Sequence, residues 1–528
     1  MGTPIPRTTG TTGTHQTQPP ILPEALIVSA VSAKLILPIK MVTMSSFRFQ
    51  DGSRMAVRFI FCLSGVIALL AGCKTAQQVR DPEYARVSHS LHRACHMPDP
   101  AVDAVNPVFS HLEGPHPVEE YIQFALNQNP DIQAARKQME AFAHQVPVAA
   151  SLQDPMLGMT VFPEQVQTAA GQQEFALTAN QKFPWHGKLS TRAELAESQT
   201  NVARAQLTAV ELATISKVKR SYYELYFIQQ TITVTEAEQK LLGEIRDVAN
   251  ARYKAGKASQ QDLLRAELEI SNVENQLIRL RQRLESAQAR LARVLHIAPQ
   301  TKLRALDRVP PEQVPRDLEW LQRQAVAARP ELHAQLATLE RDRRAVELAR
   351  LDYMPDLTLG ATWIDVASAG ISPVANGRDS FLLTAGINLP IYRKRLDSSV
   401  RSAEAKAVST ARSYDSLRDA TLEEVMDLFA QAQSQRDLLT LFREDILPKA
   451  RQTLEVSSRA YNTGEVDFLQ LIDNWRQLLR YEINYQRLEA SLRQTLAELE
   501  RVVGGFTGSS TEAIPTPRVQ PQPLPPPQ

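Results

Sequence analysis

Cysteine is nearly absent, with only Cys62, Cys73 and Cys95 in 528 residues. Three are too few for a disulfide-stapled scaffold or a multi-cysteine zinc module. Glycine is scarce at 20 residues and aromatics reach only 6%, which argues against a β-rich protein and for long helices. Charge of one sign is also missing. The 59 Lys+Arg balance 58 Asp+Glu for a net charge of +1, leaving no global field to attract nucleic acid. A mean hydropathy of −0.27 excludes a polytopic helical membrane protein, though not a β-barrel, whose alternating strands barely move the average. No phosphate-binding loop, HExxH or GxSxG motif is present. The chain therefore reads as no enzyme and needs no cofactor. Hydrophobic residues at 43% rule out wholesale disorder.

What is present begins with an address. Met55 to Cys73, MAVRFIFCLSGVIALLAGC, combines Arg54 and Arg58 with an apolar stretch from Phe59 to Leu70. It is too short for a comfortable membrane span and reads as a secretory signal. Leu70-Ala71-Gly72-Cys73 resembles the bacterial lipobox, which implies cleavage before Cys73 and lipid attachment to its thiol, and Lys74 favours outer-membrane sorting. Residues 1–54 read as a non-native extension ahead of a true start at Met55, residues 55–72 as the signal and 73–116 as a tether. Residues 507–528 are Pro-rich and read as a disordered tail.

The body repeats itself. Asn129-Pro130-Asp131-Ile132 is echoed by Arg329-Pro330-Glu331-Leu332, and Asp154-Pro155-Met156-Leu157 by Met354-Pro355-Asp356-Leu357. Lys182-Phe183-Pro184 pairs with Asn388-Leu389-Pro390, and Arg252-Tyr253-Lys254-Ala255-Gly256 with Ala460-Tyr461-Asn462-Thr463-Gly464. Four landmarks in one order mean an internal duplication, with copies at 117–316 and 317–506. Each copy opens with one helix, Pro117 to Leu152 or Asp317 to Tyr353. Period-two strands come next. They cover Met156 to Phe162 and Glu174 to Phe183 in the first copy, and Leu357 to Trp363 and Phe381 to Leu389 in the second. Gln167 to Gln173 and Ser368 to Asp379 join them.

Lys188 to Tyr253 contains no proline and a single glycine, so one helix should run roughly 100 Å. Its counterpart, about Arg395 to Asn462, should kink at Pro448. After turns at Gly256 and Gly464 come return helices with heptad seams. One seam runs from Ile270 through Leu277 and Leu284 to Val294, the other from Leu478 through Tyr485 and Leu492 to Val502.

On these residues the chain resembles the TolC-type outer-membrane efflux factors over about Pro117 to Phe506. Phe183-Pro184-Trp185-His186-Gly187-Lys188 is similar to the strand-to-helix junction of the heavy-metal and cation efflux branch. The resemblance implies a mainly α fold with a small β part and four transmembrane strands per chain. Three chains would make one twelve-stranded barrel, with coiled-coil helices forming a periplasmic tunnel. Implied partners are two more copies of the chain, a periplasmic membrane-fusion adaptor, an inner-membrane pump reached through it, and outer-membrane lipid. ATP-driven work must come from those partners.

By motif, Arg252, Tyr253, Gly256, Tyr461 and Gly464 become adaptor-contacting tips. Asp473, with Asp262 in the first copy, matches acidic positions that close the tip, while Gln470 departs from the pattern. The implied function is passive conduction of pump-delivered substrates across the outer membrane. The competing reading is a periplasmic coiled-coil scaffold lipoprotein without a pore, which has no use for outward apolar strands such as Phe381 to Leu389. The His89-Ser90-Leu91-His92-Arg93-Ala94-Cys95-His96 run carries metal-ligating residue types but reads as part of the tether, so no metal site is assigned. Replacing the acylated thiol tests the address: Cys73→Ser should abolish incorporation of labelled fatty acid, and persistent labelling would place the acyl chain elsewhere.

Overall fold

The computed structural model describes residues 83–84, 110–311, 313–368 and 370–505. The signal, Cys73, the His89–His96 run and the Pro-rich tail all lie outside the described residues. The chain divides into two units, Met1–Pro100 and Ala101–Gln528. In the first, only a helical pair at Glu83 and Tyr84 is described. Both repeats and the whole sheet belong to the second.

The second unit carries the same element order twice. Helices α1 (Val118–Gln128) and α2 (Pro130–Ala150) lead to strands β2 (Met156–Thr168) and β3 (Gly171–Phe183). Then come the 67-residue α3 (Lys188–Lys254) and the return helix α4 (Gln260–Leu295). The second copy has α5 (Leu318–Ala328), α6 (Pro330–Leu351), β5 (Leu357–Ala367), β6 (Ser380–Ile387), α7 (Arg393–Leu441), α8 (Leu447–Thr463) and α9 (Phe468–Val503). Two short strands, β1 (Gly114–His116) and β4 (Leu303–Ala305), pair in parallel beside α3. None of the described helices is long and apolar enough to cross a membrane.

Proline explains the main departures from expectation. Each leading helix is broken in two, because Asn129 (ψ 124°) and Arg329 (ψ 119°) are extended, the conformation forced on a residue before proline. Pro130 and Pro330 then open α2 and α6, where their missing N–H costs nothing. The Asn129 side chain accepts from the Asp131 N–H (2.9 Å) and donates to the Val294 carbonyl (2.9 Å). The α1–α2 break is thereby tied to the end of α4, so that α2 and α4 both lie along α3. At Pro448 the expected disturbance is a π-turn over Phe442–Ile446. The widened turn relieves the proline ring's clash with the preceding turn.

All four long strands form one antiparallel sheet in the order β2-β3-β5-β6. In the first copy the strands run further than the alternation suggests. Polar residues Gln167 and Thr168 pair with Gln172 and Gly171, so the stretch expected to be a loop is mostly ladder. Gly171, at φ 137°, turns the hairpin where a Cβ would collide with the Ala367 carbonyl.

The register gathers most of the apolar residues on one face, with Met156, Ile364 and Leu382 as exceptions. Met159, Leu177, Trp363 and Phe381 align across the sheet, and next to them Leu157, Ala179, Ala361 and Leu383. The other face is built mainly from Gly158, Thr178, Asn180, Thr362, Gly360, Thr384 and Gly386. The apolar face is bare within one chain, with Phe381 68% and Leu383 78% exposed.

A buried ion pair fixes the sheet to the helices. Gly187 takes a left-handed conformation and starts α3, which turns Lys188 inward, where it is 3% exposed. Its ammonium donates to Asp356 Oδ1 (2.7 Å) and to the Met354 carbonyl (3.0 Å). Lys182 contacts the other Asp356 oxygen at 3.1 Å, and the Trp185 N–H donates to Oδ1. Burial alone would raise the Asp356 carboxyl. Hydrogen bonds from Lys188, Lys182 and the Trp185 backbone outweigh it and hold it down to about 2.

Lower along α3, the core contains Leu242, Ile245, Leu471, Trp475 and Leu478. Glu238 is buried among them. Burial, and then the charge of Glu482 on α9, push its carboxyl up to about 7, while Trp475 and the Arg451 guanidinium on α8 pull the other way.

Both buried carboxyls make stability depend on pH, with opposite signs. Asp356→Ala strands the Lys188 charge and should cost about 3–5 kcal/mol, read as a lower melting temperature in detergent. Because the Asp356 pKa is depressed, its contribution should be complete above pH 4 and disappear as pH falls toward 2. The raised pKa of Glu238 means instead that stability is lost as pH rises through 7. Glu238→Gln should therefore stabilise by on the order of 2 kcal/mol at pH 8, with the gain gone near pH 4.5.

Candidate functional site

The helix pairs α3–α4 and α8–α9 reverse direction at matched tips. Both long helices end in the same hydrogen-bond pattern. Lys257 N–H bonds back to the Arg252 carbonyl (2.8 Å) and Glu465 N–H to the Ala460 carbonyl (2.9 Å). Gly256 (φ 70°) and Gly464 (φ 90°) supply the left-handed residue this closure needs. The return helices are capped in turn, as Ser259 accepts from Gln261 N–H and Asp467 from Gln470 N–H.

Arg252 joins the two tips. Its guanidinium donates to the carbonyls of Tyr461 and Asn462, the latter at 2.7 Å. It also stacks over the Tyr461 ring at 4.7 Å. Gly464 leaves room for it, since a Cβ there would lie 3.3 Å from the guanidinium. Three carbonyls near the helix ends thus meet a fixed positive charge, the Lys257 carbonyl included (3.4 Å).

The two tip tyrosines differ. Tyr461 is buried and packs edge-on against Phe468, with ring centroids 5.6 Å apart. Burial and then the neighbouring Asp262 carboxylate push its phenol above the ordinary range. Tyr253 is exposed on the outside of its turn. Of the motif residues, then, Arg252, Tyr461 and Gly464 come together, whereas Tyr253 and Gly256 stand apart on the surface of the first tip.

The two acidic candidates also separate. Asp262 is half-buried in the first turn of α4, facing Tyr461. Asp473 is exposed on α9 and pairs with Arg476 at 3.2 Å. Arg476 also binds Glu269 on α4. Arg476 and Glu269 carry no motif, and only their positions on facing helices reveal them.

Known proteins share this arrangement of repeats, sheet and tips. The family model of the outer membrane efflux proteins matches residues 121–295 and 321–505. The cobalt-zinc-cadmium resistance protein CzcC of Cupriavidus metallidurans is 24% identical over 404 residues, covering 75% of this chain and 92% of its own length. The pyoverdine export outer membrane protein OpmQ of Pseudomonas putida is 23% identical over 332 residues, covering 62% and 70%.

Among solved structures, CusC, studied for its folding and transmembrane channel formation, superimposes with a TM-score of 0.65 at 18% identity, covering 75% of this chain and 94% of its own. The outer membrane protein VceC of Vibrio cholerae gives 0.61 at 20% identity, covering 74% and 96%. The segments matched by the family model fall one in each copy and include the four-stranded sheet and both tips. The chain belongs to the outer membrane efflux protein family and is an outer-membrane efflux channel.

Proposed function

We propose that three copies of this chain close a twelve-stranded barrel in the outer membrane, continued into the periplasm by a tunnel of their helices. The observation that carries the reading is the two-faced sheet. Most of its apolar residues share one face across all four strands, most of its Gly, Thr and Asn residues share the other, where Met156, Ile364 and Leu382 also lie, and β2 and β6 are left as unpaired edges. Strands β2, β3 and β5, at 11 to 13 residues, are long enough to cross the hydrocarbon at a tilt, and β6, at 8 residues, covers most of that span. Lipid would take the apolar face and the aqueous pore the polar one. Edge-to-edge joining of three sheets would satisfy the exposed backbone groups. The repeats 117–316 and 317–506 are the building blocks of this arrangement.

The duct is passive. An inner-membrane pump delivers the substrate through a periplasmic adaptor, and the pump sets the cargo. The adaptor grips the tips, where exposed Tyr253 and the Gly256 turn form the contact surface. Arg252, Tyr461 and Gly464 hold the two turns of one chain together behind it. Asp473, repeated around the threefold axis, narrows the periplasmic end and attracts cations, with Arg476 limiting its charge. Asp262 serves the same end by bracing Tyr461. An acyl chain on Cys73 adds a lipid anchor.

A pore and a scaffold differ in conductance. Purified full-length protein should run as heat-resistant trimers and give discrete single-channel steps in a planar bilayer, whereas a scaffold would give no steps. In the same bilayer Asp473→Ala should raise conductance severalfold and weaken block by multivalent cations. Unchanged conductance and block would remove Asp473 from the constriction.

A further inference from the structure

A cavity lies in the groove between α4 and α9, with α3 as its floor. It measures about 630 Å³. Arg279, Arg283 and Arg290 reach it from α4 and Arg487 from α9, against a single carboxylate, Glu224. Among the described residues none of the four guanidiniums has an ion-pair partner, whereas Arg281, on a neighbouring face of α4, is bridged to Glu236 at 3.2 Å. Arg487 is held in place by stacking on the Phe227 ring at 4.4 Å.

Arg279 and Arg283 are one helical turn apart, a spacing at which like charges repel. Lining one groove with four guanidiniums leaves a local excess of positive charge there, which a bound anion would neutralise. The rest of the lining, including Thr231, Asn272 and Gln276, supplies neutral hydrogen-bonding groups.

The direction in which the groove opens is set by α3. Tyr222 and Gln229 carry the β1–β4 layer. The Tyr222 hydroxyl donates to the His116 carbonyl (3.0 Å) and accepts from Leu306 N–H (3.0 Å), and the Gln229 carbonyl accepts from Ala305 N–H (3.0 Å). Glu224, Phe227 and Thr231 leave α3 about half a turn away, on its opposite side. In a closed tunnel the β1–β4 layer can only lie outside, since inside it would plug the duct. On the duct reading, the groove on the opposite side of α3 would then face the lumen.

We propose that this groove is an oxyanion-binding station on the inner wall of the duct, where carboxylate- or phosphate-bearing solutes are held by Arg279, Arg283, Arg290 and Arg487. The inference rests on the duct reading. Guanidiniums suit both oxyanions because their paired N–H groups match two oxygens at once, and rings of basic side chains are how pores select anions. Three copies around the axis would make one such ring above the acidic Asp473 level.

Isothermal titration calorimetry on the full-length protein in detergent tests it, with citrate as the carboxylate probe and inositol hexakisphosphate as the phosphate probe. The unaltered protein should bind at least one of them, more weakly as salt rises. The double variant Arg283→Gln/Arg487→Gln should bind at least tenfold more weakly, and Arg281→Gln should bind as the unaltered protein does. If the loss of the Phe227 stack unfolds the first variant, Arg279→Gln/Arg290→Gln should show the same weakening. Binding of only one probe supports the station and identifies its oxyanion class. No binding by the unaltered protein, or equal binding by the folded variants, overturns the proposal. Bilayer conductance on the same samples separates the two readings. Anion binding without conductance sinks the duct, whereas conductance without binding sinks the station alone.

Discussion

Every backbone N–H and C=O along the outer edges of β2 and β6 needs a partner, and hydrocarbon supplies no water to provide one. A sheet of four strands with an apolar face on one side and Gly, Thr and Asn on the other is therefore incomplete as a single chain. Its apolar face is too exposed for water and its edges are too polar for lipid. Joining identical sheets edge to edge removes both problems together, which is why the duct's assembly state and its location are one physical question.

The helices inherit their orientation from that sheet through a short, stiff junction. Strand β3 ends at Phe183 and α3 begins at Lys188, leaving little chain to absorb misalignment. The buried Lys188–Asp356 contact joins the start of the first repeat's long helix to the start of the second repeat's strand. Its cost in desolvation is offset by three further hydrogen bonds to the same two side chains. Far below, Arg252 performs a similar joining task at the tips with backbone carbonyls as acceptors. The repeats are thus tied across their boundary at both ends of the long helices.

The two ends of the helical part have different electrostatic character. Asp473, Arg476 and Glu269 form an ion-paired group toward the tips, in which each charge is partly compensated. The arginines of the α4–α9 groove lie further from the tips, with Glu224 as the one carboxylate of the groove lining. Glu238 sits in the core between α3, α8 and α9 as a carboxyl that titrates near neutrality. The stability of the helical region near the tips therefore responds to pH as well as to packing.

Local periodicity is enough to read much of this chain. Repeated landmarks reveal the duplication, alternation locates the strands, the lack of proline in 188–253 predicts an unbroken helix, and Gly256 and Gly464 mark the tips. These features are legible because each depends on residues a few positions apart. The breaks at Asn129 and Arg329 are equally local in origin, yet each lies within a helical pattern that continues on both sides, so periodicity alone joins the two halves. The extension of β2 and β3 is hidden because polar residues such as Gln167 and Gln172 continue a ladder through backbone bonds that carry no hydrophobic signature. Pairings such as Lys188 with Asp356, Arg252 with Asn462, and Arg476 with Glu269 are beyond reach of the sequence. Each brings together residues from different repeats, and only the packing of long helices against one another decides which charges meet, which are buried and which are left facing open space.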